Sequence, residues 1–344
     1  MVDPLTSRLL EPSVTEGSLL APLIVILGPT ASGKSALALE LAERCGGEIV
    51  NCDSVQVYRG FDIGAGKVPL EERRGIPHHL LDIVEPDQLF TAGDYRREAT
   101  RALDSIRERG RVPVLVGGTG LYLRALLLGL FEGPARSESL RARLKTLANR
   151  RSGRSNKEEE PAPGEALHRL LRRKDPAAAA RIHPRDTQKI VRALEVCLVA
   201  RQPMSEMLER GRTGLTGYAV LKIGLNPDRV TLHERINRRV EGMFRAGLLE
   251  ETRRLLARSD ASRLKPLEAL GYRQAAALVR GEISEDDAVR QTQAATRQYA
   301  KRQMTWFRRE TDVTWWAGFG DDPEIQHRIS SWLSSERGFK HASA

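Results

Sequence analysis

Only three cysteines occur in 344 residues, and Cys45, Cys52 and Cys197 stand too far apart in sequence to suggest a disulfide framework or a zinc site. A reducing, cytoplasmic compartment is therefore expected. Apolar runs of membrane-spanning length are missing too, so no membrane association is expected. Residues 1–20 hold a single basic side chain, Arg8, beside Asp3, Glu11 and Glu16. That is neither a secretory signal nor an arginine-rich transit peptide, and a disordered leader is expected there. Acids are in deficit, 45 against 55 lysines and arginines, which gives a net charge of +10 and a pI near 9.8. The imbalance points to an anionic partner, and nucleic acid fits better than a membrane surface. No internal repeat is visible.

What the chain does have begins at Gly28-Pro29-Thr30-Ala31-Ser32-Gly33-Lys34-Ser35. The apolar run Leu23–Leu27 before it reads as a buried parallel strand, and Ala36–Ala42 after it reads as a helix. This is a phosphate loop in its proper setting of strand, turn and helix. Backbone N–H groups at the helix N-terminus can crowd around phosphate oxygens. Lys34 adds a point charge, and Ser35 offers a hydroxyl to Mg2+. All eight residues are expected to bind a diphosphate or a nucleotide. The magnesium-holding acid usual at the end of a second strand is absent, because Val112–Val116 runs into Gly117-Gly118-Thr119-Gly120. The acid stands instead at Asp53, behind the short strand Glu48–Cys52. In an open α/β sheet Asp53 and Thr119 should both face the phosphate loop. Asp53 there suits a general base, with a loop-capping aspartate as the competing reading.

The first 130 residues alternate strands and helices, with a capping box at Thr91 and Asp94 opening one helix and Gly110 closing it. His79–Ile83 is expected as a further strand. Residues 131–218 break the alternation with charged helices and a low-complexity loop, 151–164, and read as a helical insertion. The sheet resumes at Tyr218–Gly224, long helices follow from Asp228 to Arg309, and Asp312–Trp316 is expected to close the sheet edge. The expected fold class is α/β, a P-loop NTPase-like parallel sheet flanked by helices with an inserted helical domain. Its catalytic core takes 21–130 and 219–320, and 321–344 is left as a tail. Gly64-Ala65-Gly66-Lys67 lacks the spacing of a second phosphate loop, and adjacent His78-His79 cannot face one metal from a helix. Arg290, Arg297, Lys301 and Arg308 step by 7, 4 and 7 along one helix face, with Arg302 and Arg309 beside them. Six bases with the single acid Glu310 suit a phosphate backbone, a solvated helix face being the plainer alternative.

Taken together, these pieces resemble the tRNA dimethylallyltransferase (tRNA isopentenyltransferase) family, of bacterial type. The resemblance rests on the phosphate loop, Asp53-Ser54-Val55-Gln56-Val57-Tyr58, Phe61-Asp62-Ile63-Gly64 and His79-Leu80-Leu81-Asp82. It continues through Val116-Gly117-Gly118-Thr119-Gly120-Leu121-Tyr122, Arg192-Ala193-Leu194-Glu195-Val196, Gly271-Tyr272-Arg273 and Thr296–Trp306. It implies transfer of a dimethylallyl group from dimethylallyl diphosphate to the exocyclic amine of an adenine. In the family that adenine lies 3′ of the anticodon in tRNAs reading codons that begin with U. Asp53 would be the base and Thr119 would orient the reacting groups. The tRNA anticodon stem-loop would touch Asp53, Ser54, Val55 and Gln56, then Arg141, Gln188, Lys189, Ile190, Val191 and Arg192, then Tyr272 and Arg273. It would also touch Lys301, Arg302, Gln303, Met304, Thr305, Trp306, Phe307 and Arg308. Arg235 and Arg239 are further candidates for the diphosphate, and a monomer suffices. Where relatives often read Ile-Gly-Thr-Ala-Lys this chain has Ile63-Gly64-Ala65-Gly66-Lys67, which loses a hydroxyl near the cleft.

The nearest rival is an adenylate dimethylallyltransferase acting on free AMP, ADP or ATP, which would need neither the basic helix nor the insertion. A small-molecule kinase would need an arginine-bearing lid. A non-catalytic RNA-binding protein would have no use for Asp53.

Overall fold

Leu23–Leu27 is almost wholly apolar and almost wholly buried, and its strand is a spine of the sheet. The computed structural model describes residues 20–131, 133–149, 165–209 and 211–335. Residues 1–19 of the leader expected over 1–20, and the expected loop 151–164, lie outside the described residues. Six strands form one sheet: β1 (Ala21–Leu27), β2 (Glu48–Asn51), β3 (His78–His79), β4 (Pro113–Val116), β5 (Tyr218–Leu225) and β6 (Val313–Trp316). Their order is β3-β2-β4-β1-β5-β6, and every pair is parallel. Ile24 faces Val114 on one side and Leu221 on the other. The helix Lys34–Arg44 buries Leu37, Ala38, Leu39, Leu41 and Ala42 against this sheet.

The strand order positions the site. β2, β4 and β1 are neighbours, so their carboxyl ends deliver Asp53, Gly117-Gly118-Thr119 and the phosphate loop side by side. The expected fold class is the one observed.

The chain divides into two units, one of residues 1–123 and 216–344 and a second of residues 124–215, where the sequence suggested a boundary at 131 and 218. Among its described residues the second unit has helices and no strand. Leu144, Leu167, Leu171, Ile190 and Leu194 make its core. Asp175, fully buried, caps the helix Pro176–Arg181 through the Ala178 N–H and accepts a second bond from the Ser205 hydroxyl at 2.7 Å.

In the first unit the helices Arg229–Arg245, Leu248–Leu256, Tyr272–Val279 and Glu285–Phe307 follow β5. Thr91 and Asp94 form the expected capping box. The stretch read as a tail holds a helix, Pro323–Ser335, whose Ile325, Ile329 and Leu333 lie in the core. That 4-residue spacing of apolar groups is a helical signal. Among the described residues no helix is long and apolar enough to cross a membrane.

Candidate functional site

The phosphate loop closes on Gly33, whose φ of +81° an L side chain tolerates poorly and whose neighbour Asp321 leaves no room for a Cβ. From the next residue the helix begins, so Lys34 and Ser35 stand at its N-terminus. Lys34 Nζ donates to Pro29 O at 2.7 Å. Burial first, then the charge of Arg239, lowers its pKa to about 7 against the opposing pull of Asp53. Ser35 is exposed toward the cleft, whereas the Ser32 hydroxyl is buried without a hydrogen-bond partner.

Asp53 sits just past β2. Its Oδ1 accepts from the N–H groups of Val55 at 2.8 Å and Gln56 at 3.3 Å. The carboxylate therefore caps its loop, and neither bond uses Oδ2. Thr119 lies behind it, its Oγ1 accepting from Ser54 N–H at 3.0 Å and its own N–H donating to Cys52 O at 3.1 Å. Its hydroxyl thus holds the Asp53 loop in place.

Two cavities meet at Asp53. One, of about 100 Å³, lies over the phosphate loop and is lined by Lys34, Ser35, Asn51, Gln56 and Gly118 among others. The other, of about 310 Å³, has a more apolar wall that includes Val55, Ile236, Val240, Met243 and Leu270. Thr30, Asp53, Ala65, Arg239 and Tyr299 line both. Two ligands can therefore meet at one carboxylate.

Of the two candidate arginines, Arg239 faces this junction, its guanidinium 3.5 Å from Thr30 Oγ1. It lines an open cleft and so keeps contact with solvent, although surrounding protein lowers its pKa and Asp53 partly restores it. Arg235 is bound instead to both oxygens of Asp321, at 2.6 and 2.8 Å. Gly66 makes room for Arg239, since a Cβ there would stand 2.0 Å from the guanidinium nitrogen, at a backbone φ of +62°. Gly66→Val is expected to displace Arg239 and raise the KM for the diphosphate substrate about 10–100-fold. An unchanged KM in steady-state kinetics would remove Arg239 from the site.

Lys67, at the end of the loop that departs from the family pattern, is no phosphate ligand. It donates to Tyr58 O and Asp62 Oδ1, both at 2.7 Å, and to Asp82. Buried Glu251 accepts from the N–H groups of Asp62, Ile63 and Gly64, and so fixes the cleft wall.

The family model described as IPP transferase matches residues 56–310. The tRNA dimethylallyltransferase of Solibacter usitatus (strain Ellin6076) is 53% identical over 316 residues, covering 91% of this chain and 99% of its own. That of Koribacter versatilis (strain Ellin345) is 54% identical over 303 residues, covering 88% and 95%. The chain belongs to the tRNA dimethylallyltransferase family. The crystal structure of the full-length tRNA isopentenylpyrophosphate transferase from Bacillus halodurans superposes with a TM-score of 0.66 at 35% identity, covering 94% of this chain and 98% of that one.

In this member of the transferase family, burial sorts the residues that the resemblance suggested as tRNA contacts. Gln188, Lys189, Arg273, Lys301, Arg302, Thr305, Trp306 and Arg308 are exposed. Ile190, Val191, Tyr272, Gln303 and Phe307 are buried. Ile190 and Val191 fill the helical core, and the Tyr272 hydroxyl donates to Glu251 at 2.5 Å. Gln56 turns its amide to Ala65 O and Gly66 O. Arg141 and Arg192 grip the fully buried Glu195, Arg141 through two bonds of 2.9 and 2.7 Å and Arg192 through one of 2.6 Å. Through Glu195 these two arginines tie together the helices of this unit, where the resemblance offered them as tRNA contacts.

Sequence reading missed the part played by Tyr299 and Gln303, which reach the two loops of the transferase cleft from the helix Glu285–Phe307. The sequence signal was their four-residue helical spacing, on the face opposite Lys301.

Proposed function

We propose that the chain transfers the dimethylallyl group of dimethylallyl diphosphate to the exocyclic amine of the adenine 3′ of the anticodon, in tRNAs reading codons that begin with U. The observation that carries this reading is the pair of cavities joined at Asp53, one floored by a phosphate loop and one walled by apolar side chains. The names of the relatives support tRNA as the acceptor.

Phosphate-loop N–H groups, Lys34 and Arg239 receive the negative charge that grows on the diphosphate as the allylic C–O bond breaks. The amine nitrogen bonds to the allylic carbon, its proton passes to Asp53 Oδ2, and diphosphate leaves. Adenine's amine is a poor nucleophile because its lone pair is delocalised into the ring, so a positioned base matters. The apolar wall of the second cavity keeps water from the electrophile. The base must leave its stack to enter, at a cost of a few kcal/mol that contacts to the exposed basic helix offset. A magnesium ion would supply further positive charge to the leaving group. The hydroxyl of Ser35, exposed at the cleft, fits such an ion held mainly by phosphate oxygens. One chain contributes every group named, so the proposed reaction requires no second subunit.

The test is incubation with radiolabelled dimethylallyl diphosphate and magnesium, offering unmodified tRNA, AMP and ATP separately. Label entering tRNA alone is expected. Label entering AMP or ATP would move the chain to the free-nucleotide reaction, and no transfer at all would overturn prenyl transfer.

Lys34 gives a second check. With its pKa near 7 in the free protein, it is largely neutral at pH 8. A bound diphosphate favours the charged form and draws a proton onto it. Calorimetry at pH 8 in buffers of different ionisation enthalpy should therefore show greater proton uptake on diphosphate binding by wild type than by Lys34→Met. Equal proton counts for the two proteins would contradict a Lys34–phosphate contact.

A further inference from the structure

We propose that Gln303 is a positioning residue that makes RNA bound to the outer face of the helix Glu285–Phe307 and diphosphate bound in the cleft strengthen one another; this rests on the prenyl-transfer reading above. The helix has two faces with different tasks. Lys301, Arg302, Thr305 and Trp306 are exposed, while Gln303 between them is buried, at 5% exposure. Its carboxamide is divided between the two loops of the site. Oε1 accepts from the Thr30 N–H of the phosphate loop at 2.8 Å, and Nε2 donates to Gly118 O, behind β4, at 3.0 Å. Tyr299, one turn earlier, donates to the same Gly118 carbonyl at 3.4 Å.

The requirement is chemically narrow. One side-chain tip must offer a donor and an acceptor at the same reach, which an amide does and neither a carboxylate nor a thioether can. Glutamate would turn an acceptor toward the Gly118 carbonyl and add negative charge beside the diphosphate. Fit is equally tight on the other side, where a Cβ at Gly118 would stand 2.1 Å from Gln303 Nε2. A buried amide cannot let go of either loop without leaving polar groups unpaired, so a shift of the helix moves both loops. RNA that fixes the helix thereby fixes Thr30 and Gly118, and diphosphate that orders those loops fixes the helix. Linkage makes the two effects equal in size.

The experiment measures the Kd of an anticodon stem-loop RNA with and without saturating inorganic diphosphate and magnesium. It uses wild type, Gln303→Met and Gly118→Ala, and takes the ratio of the two Kd values within each protein. Diphosphate is expected to tighten RNA binding at least about fivefold in wild type, the lower end of ordinary coupling. In both variants the ratio is expected to fall to about one. Thermal unfolding identifies any variant that fails to fold, and the other then decides. A ratio in folded variants equal to that of wild type would overturn the role of Gln303. So would a ratio of one in a wild type that binds both ligands. Failure of wild type to bind RNA or diphosphate at all would instead bring down the functional reading on which the proposal stands.

Discussion

Asp53→Asn is expected to lower the rate of prenyl transfer by about 10²–10⁴-fold, the usual worth of a positioned general base. The substitution is chosen for what it keeps. An asparagine Oδ1 can still accept from the N–H groups of Val55 and Gln56, so the loop behind β2 retains its shape. Lost are the negative charge and the second oxygen that would take the proton. Single-turnover measurement at saturating tRNA and dimethylallyl diphosphate isolates the chemical step. RNA affinity should stay within about twofold of wild type, because Asn can preserve the bonds that hold Val55 and Gln56. A single-turnover rate close to wild type would mean that the amine loses its proton elsewhere and that Asp53 is the loop cap alone.

The second large effect concerns Glu195, in the helical unit. Its carboxylate is fully buried and accepts from Arg141, Arg192 and the Ser137 N–H. Burial pushes its pKa up, but these donors outweigh burial and take it down to about 2. Glu195→Ala leaves two arginines without their carboxylate and should destabilise the unit by about 3–5 kcal/mol, the cost of breaking one side of a buried ion pair. Denaturant unfolding followed by circular dichroism measures it, and a loss under about 1 kcal/mol would show that water or another acid takes over. The pH dependence has a definite sign. A carboxyl held below its unfolded value of 4.5 contributes stability that is fully present above that value and is lost as pH falls toward about 2. Glu195→Gln should flatten that part of the acid-stability curve.

Sequence patterns revealed the strands wherever apolar runs were long, as at Leu23–Leu27 and Val112–Val116, and the phosphate loop from its spacing. β3 escaped. A strand over His79–Ile83 was the expectation, yet only His78 and His79 join the ladder, because Leu80 and Asp82 adopt φ of 64° and 56° and the chain turns there. The polar clamps escaped for a different reason. A helical pattern can mark Gln303 or Glu251 as inward-facing, but their partners stand 273 and 189 positions away at Thr30 and Asp62. No local propensity encodes such a pairing. Glu195 shows the same limit from the other side. It stood in a recognisable segment, and its meaning came only when folding brought Arg141, 54 positions earlier, onto it.

The order of the strands also bears on how the chain is made. β1 pairs with β5 over seven residues, Ala21 to Leu27 against Tyr218 to Gly224. At about 5–20 residues per second, a ribosome needs roughly 10–40 s to travel from one strand to the other. Throughout that interval the most apolar strand of the sheet has one hydrogen-bonding edge without its native neighbour. The helical unit, built from contacts within residues 124–215, has all its parts before β5 emerges. The inserted unit can therefore fold before the catalytic sheet, which lacks its β5 partner until the chain passes residue 225, with β6 and the helix Pro323–Ser335 still to come.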